Sequence, residues 1–119
     1  MRPEKLTTAQ FEQRVADYKD RAKQWDYLGE TPALVVFYAD WCPHCRVYAP
    51  VLEEVGEAYG DRLGIFKVNI DEERRVAAMY GIRTIPTTCF FPVGQERQVR
   101  VGEMPADALS ALVEEILMK

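Results

Sequence analysis

The residues whose types and spacing can do chemistry are Trp41-Cys42-Pro43-His44-Cys45. Two cysteines three positions apart on a helix return to the same face, within bridging distance of one another. With Cys42 at the N-cap, Pro43 falls at the first helical position, where its missing N–H costs nothing. The Cys42 sulfur then faces unpaired backbone N–H groups and the positive end of the helix dipole. Those groups favour the thiolate, which is the nucleophilic form. Such a pair attacks a disulfide, forms a mixed disulfide and resolves it internally. His44 is the single histidine of the chain. Beside the Cys42 thiolate it adds donor capacity and partial positive charge, the alternative being a solvated first-turn residue without redox effect. The same cysteines also fit a static disulfide or half of a zinc site. Zinc needs two further ligands and only His44 and Cys89 remain, so no metal is expected.

The elements that must position this box follow from hydrophobic patterning. Thr7 and Gln10 have the spacing of a capping box, opening an amphipathic helix that carries Phe11, Val15, Tyr18 and Ala22 and continues or breaks before Trp25. Ala33 to Tyr38 is a short, almost wholly apolar run bounded by Pro32 and Asp40, which predicts a strand covered on both faces. After Cys42 the pattern turns helical, with Val47, Val51, Val55 and Ala58 on one side and a kink expected at Pro50. Ile65 to Ile70 reads as a second strand. Asp71 then caps a short helix with Val76, Ala77 and Met79, stopped by Gly81. Thr87 to Phe91 is a third strand, Gln98 to Val101 an edge strand, and Pro105 starts a last helix with Leu109, Leu112, Val113, Ile116 and Leu117. This order predicts an α/β fold with a mixed sheet.

The totals limit what else the chain can be. Its 119 residues suit one domain over 1–119, with no repeat or linker to divide it. Hydrophobic residues at 48% and charged residues at 29% are an ordinary globular balance. A formal charge of −4 with no Lys/Arg run gives no reason to expect nucleic acid or an anionic membrane as a partner. No stretch approaches the ~18 apolar residues of a membrane span. The first residues lack the apolar core of a signal peptide, so the expectation is cytoplasmic as the sequence stands, and periplasmic if a signal peptide has been removed.

From about Pro32 onward the chain resembles the thioredoxin family. Ala33 to Tyr38 followed by Ala39-Asp40-Trp41-Cys42 looks like the family's central strand running into its redox box, and Pro50 matches the proline in the helix after the box. Lys67-Val68-Asn69-Ile70-Asp71 looks like the next strand and cap, and Tyr80 to Thr87 resembles the loop that holds the family's cis-proline. Val101-Gly102 looks like the glycine that faces the substrate groove. The resemblance implies a thioredoxin fold, a central mixed sheet flanked by helices on both faces. It implies catalysis by Cys42 and Cys45, a cis Pro86, and a groove of Trp41, Ile85, Pro86 and Gly102 in which Ile85 offers backbone hydrogen bonds to an extended substrate segment.

Two departures from the family pattern stand out. Thioredoxins usually carry Gly-Pro between the cysteines, whereas this chain has Pro43-His44, the pair found in DsbA, a disulfide-forming oxidant. A more stable thiolate stabilises the reduced form, so the resemblance implies a couple more oxidising than an ordinary thioredoxin and less so than DsbA. Second, Val36 stands where both families usually place a buried carboxylate near the resolving cysteine, while Lys67 remains. A buried lysine without a partner is costly, so Lys67 is expected to snorkel out or to pair elsewhere. Lys67 and Asp40 are then the candidates to support proton transfer at Cys45. Cys89, in the third strand, reads as a small buried hydrophobe, the alternatives being a regulatory thiol or an intermolecular bridge.

The expected function is a thioredoxin-type reductase of protein disulfides that needs no cofactor beyond its own Cys42–Cys45 couple. Net oxidation or isomerisation is the alternative that Pro43-His44 argues for. A redox-inactive binding or chaperone module is the alternative of another class. The expected partners are proteins with disulfides or thiols and an upstream reductase, and the expected state is a monomer.

Overall fold

In the computed structural model, residues 3–17 and 27–119 are described. The elements run β1 (Glu4–Lys5), α1 (Thr8–Arg14), β2 (Ala33–Tyr38), α2 (Pro43–Tyr59), a 3-10 turn (Gly60–Arg62), β3 (Gly64–Asn69), α3 (Arg74–Met79), β4 (Thr87–Phe91), β5 (Gln98–Val101) and α4 (Ala106–Leu112), with a last π-wound turn at Val113–Leu117. The sheet has five strands in the order β1-β3-β2-β4-β5. β2 lies at its centre, parallel to β3 and antiparallel to β4, which is why all of its residues except Tyr38 are buried.

Alternation along β2 divides the core into two layers. Leu34 and Val36 face α2 and α4, where they pack with Tyr48, Leu52, Val55, Leu109 and Val113. Val35 and Phe37 face the other layer and pack with Phe11, Val76, Cys89 and Phe91. The fold is therefore a mixed sheet between two helical layers. In register, Val36 lies between Lys67 of β3 and Thr88 of β4, so these three side chains share one row.

The capping box at Thr7 is present, with Thr7 Oγ1 accepting the Gln10 N–H at 3.2 Å and Gln10 Oε1 accepting the Thr7 N–H at 2.9 Å. The helix ends sooner than its apolar spacing predicts. Val15 is its C-cap and stays fully buried, while the expectations for Tyr18, Ala22 and Trp25 lie outside the described residues. Strand β1 is not readable from the sequence, because its two residues are exposed and carry no apolar pattern; pairing with Phe66 and Lys67 of β3 makes it.

Two further expectations are corrected. The buried stripe of α2 is Cys45, Tyr48, Leu52, Val55 and Tyr59, whereas Val47 is 61% exposed and Ala58 is also exposed. Val55 lies in this stripe as expected and Val51 packs against it, while Tyr48 and Tyr59 join because each buries a large ring and satisfies its hydroxyl, Tyr48 with Thr88 Oγ1 at 2.9 Å and Tyr59 by donating to Glu114 Oε2. Asp71 does not cap α3. Asn69 Oδ1 accepts the N–H groups of Asp71 and Glu72 in a side-chain turn, and the helix starts later, with Glu73 at its N-cap. Pro50 lies inside α2, which runs on to Tyr59. Among the described residues, no helix is long and apolar enough to cross a membrane.

Candidate redox site at the head of helix α2

β2 delivers the chain to the edge of the core, and the box begins where it leaves the sheet. Cys42 is the N-cap of α2 in extended conformation (φ −86, ψ 112), with Pro43 next. Its Sγ accepts the Cys45 N–H at 3.2 Å, so the sulfur takes the place of a capping oxygen. Cys42 Sγ also lies 3.8 Å from the carbonyl oxygen of Ile85. Cys42 and Cys45 are 3% and 8% exposed, in a small apolar cluster with Ala39 against which Tyr38, Ile70 and Ile85 pack. Both are free thiols here. Burial, and then the hydrogen bond with Cys42, push the Cys45 thiol up from its ordinary range, so it is held protonated.

The loop before β4 closes the other side. The Ile85–Pro86 peptide bond is cis. The carbonyl of Pro86 accepts the N–H of Gly102 at 2.8 Å, and Gly102 sits at φ +99, a conformation that favours glycine. Cys42, Cys45, Ile85, Pro86 and Gly102, from three segments of the chain, are thus brought to one end of the sheet. Trp41 stands on the rim, 62% exposed, its indole N–H donating to Asp71 Oδ2 at 2.8 Å. His44 stands on another part of the rim, its Nδ1 2.6 Å from Glu103 Oε1.

Beneath the sulfurs lies a cavity of about 230 Å3 lined by Val36, Asp40, Cys45, Tyr48, Lys67 and Pro86 among others. Val36 is 2% exposed and gives this wall no titratable group. Lys67 is half-buried and places its ammonium 5.2 Å from the centre of the Tyr38 ring, so a cation–π contact serves where the expected carboxylate partner is missing. The Asp40 side is tied to α2 through its backbone, whose carbonyl accepts from Arg46 Nε at 3.2 Å and Nη2 at 2.9 Å. Cys89 is remote from this cavity's lining. It is fully buried in the opposite layer, and burial pushes its thiol up to about 12.

Three contributors were not singled out in the sequence. Glu103 meets His44 from 59 positions away, Asp71 meets Trp41 from 30, and Thr88 meets Tyr48 from 40. Only the sheet topology creates these pairs, so no local pattern signals them. Among the described residues, no group of three His, Cys, Asp or Glu side chains is placed to hold a metal ion.

A dithiol whose first sulfur caps the helix leaving the central strand, faced by a cis X–Pro loop, defines a thiol–disulfide oxidoreductase. The Thioredoxin family model matches residues 2–115. The chain is 33% identical over 110 residues to the thioredoxin of Borreliella burgdorferi, covering 92% of this chain and 93% of that one. It is 38% identical over 112 residues to thioredoxin 1 of Nostoc sp., covering 94% of each. It is 40% identical over 98 residues to the chloroplastic M-type thioredoxin of Zea mays, covering 80% of this chain and 59% of that one. The crystal structure of chloroplastic thioredoxin z superposes with a TM-score of 0.80 at 27% identity, covering 98% of this chain and 95% of that one. The chain belongs to the thioredoxin family, and it is a thioredoxin-type reductase of disulfides.

Proposed function

We propose that Cys42 is the attacking thiol and Cys45 the resolving thiol of a dithiol that reduces disulfides in other proteins. The observation that carries this assignment is the asymmetry of the pair. Cys42 Sγ receives a backbone N–H at the head of α2, while burial holds Cys45 protonated. In the first step the Cys42 thiolate attacks one sulfur of the substrate disulfide. That S–S bond breaks, a Cys42–substrate disulfide forms, and the departing substrate thiolate takes up a proton. Cys45 then loses its proton and attacks Cys42 Sγ. The Cys42–Cys45 bond forms and the second substrate thiol leaves, two electrons having passed to the substrate.

Ile85 and Pro86 frame the approach of the substrate. An extended segment laid along Ile85 pairs with its backbone, which gives affinity with little sequence preference. Trp41 shapes the groove, and Gly102 keeps its far wall free of a side chain. Asp40 and Lys67, beside the cavity under Cys45, support its deprotonation through water in place of a buried acid. Pro43 and His44 set the potential. The two sulfurs store the electrons, so the cycle uses no cofactor, and an upstream dithiol reductase restores the thiols. A single five-stranded sheet supports reading 1–119 as one domain.

The test is a trapping experiment. Cys45→Ser, incubated with a disulfide-bonded protein, accumulates a covalent adduct through Cys42 that dithiothreitol releases. The assignment fails if adducts form through Cys89, or if Cys42→Ser rather than Cys45→Ser accumulates them.

A further inference from the structure

The redox box contains a histidine, and the fold supplies that histidine with a partner outside the box. Gly102 ends β5 with its N–H on the carbonyl of Pro86, and the chain then passes the head of α2 before α4 begins. This places Glu103 against His44. Nδ1 and Oε1 lie 2.6 Å apart, within hydrogen-bonding distance. The His44 side chain is 71% exposed and that of Glu103 is 34% exposed, so the carboxylate is the better anchored of the two. One ring nitrogen of His44 is therefore committed to a group outside the dithiol, and any charge on the ring is matched by the opposite charge on Glu103.

The geometry points to Glu103 as a positioning residue that holds the His44 imidazole at the rim and offsets its charge, so that the couple stays on the reducing side despite its Pro-His box. This rests on the reading of His44 as a group that stabilises the Cys42 thiolate. A cation beside that thiolate favours the reduced dithiol and makes the disulfide the stronger oxidant. A carboxylate paired with the cation opposes both effects. Because the pair is largely exposed, water and salt screen it, and the expected change is a few-fold.

The experiment is a double-mutant cycle on the equilibrium between the Cys42–Cys45 couple and glutathione, measured near pH 6. Glu103→Gln is expected to shift the equilibrium about threefold toward the reduced dithiol, which corresponds to about 14 mV for a two-electron couple. Glu103→Ala, which also releases the ring, is expected to shift it at least as far. His44→Ala in the Glu103→Gln background is expected to cancel the gain, and in the parent it has a smaller effect. If His44→Ala acts equally in both backgrounds, Glu103 does not work through His44 and the proposal falls while the role of His44 stands. If His44→Ala changes nothing in either background, the tuning role of His44 falls and the proposal falls with it. An unchanged or more reducing Glu103→Gln overturns the proposal directly.

Discussion

At the scale of residues, three thiols of one chain are separated by their surroundings. Cys42 caps a helix and accepts a backbone N–H, Cys45 lies one turn further along that helix, and Cys89 is shut into the layer on the far side of the sheet. Burial pushes Cys45 up and takes Cys89 to about 12, so neither presents much thiolate near neutrality. Limiting iodoacetamide added to the reduced protein near pH 7 is expected to give one dominant adduct, on Cys42, located by peptide mass mapping. Labelling of Cys45 or Cys89 ahead of Cys42 would contradict this ordering. The residue pattern alone exposed much of this, because a cysteine pair at helical spacing with proline at the first helical position has few other uses. The contacts of His44 with Glu103 and of Trp41 with Asp71 were not legible, since each joins segments that only the finished sheet brings together.

At the scale of elements, α2 must hold two sulfurs at its head while its flank fills the core over β2. Its inward stripe of Cys45, Tyr48, Leu52, Val55 and Tyr59 does both, and Leu109 of α4 and Val113 of the turn that follows cover it. Leu109 is fully buried, with α2 and the sheet around it. Leu109→Ala leaves a hole that a helix pinned by its neighbours cannot close, and is expected to cost about 2–5 kcal/mol of unfolding free energy in urea titrations. A loss under about 1 kcal/mol would mean that α4 is not an integral part of this core. The sequence marked the strands well, because β2 is a continuous apolar run and β4 is rich in β-branched and aromatic residues, both flanked by turn residues. It misplaced part of the buried face of α2, Val47 and Ala58, since these look apolar at helical spacing while tyrosines count as apolar only where a partner for the hydroxyl exists. The start of α3 was missed for a related reason: Asn69, not Asp71, supplies the turn-making side chain.

At the scale of the whole molecule, several tyrosines tie the layers together and all are shifted in one direction. Burial, then the hydrogen bond to Glu114, raise the Tyr59 phenol from 10.0 to about 12. Burial raises Tyr48 and Tyr80 in the same sense. A raised phenol keeps its proton in the folded state after the unfolded chain has lost it. The native state then binds more protons, so stability falls with rising pH. The contribution is complete below about pH 10, where the unfolded tyrosine is still neutral, and is lost as the pH rises towards about 12 for Tyr59. Urea midpoints are therefore expected to drop between about pH 10 and pH 12, and Tyr59→Phe is expected to flatten part of that drop. A flat profile, or a variant as steep as the parent, would go against this account. The whole chain is otherwise arranged around one task, with the central strand, the first turn of α2, the Ile85–Pro86 loop and the β5 end all meeting at the dithiol.

The most direct measurement is the rate at which the protein reduces a disulfide-bonded protein such as insulin with dithiothreitol as electron source. Acceleration over dithiothreitol alone is expected for the parent and for Cys89→Ser, whereas Cys42→Ser is expected to fall to the rate of dithiothreitol alone. Acceleration that survives Cys42→Ser, or a parent that gives none, would contradict that expectation.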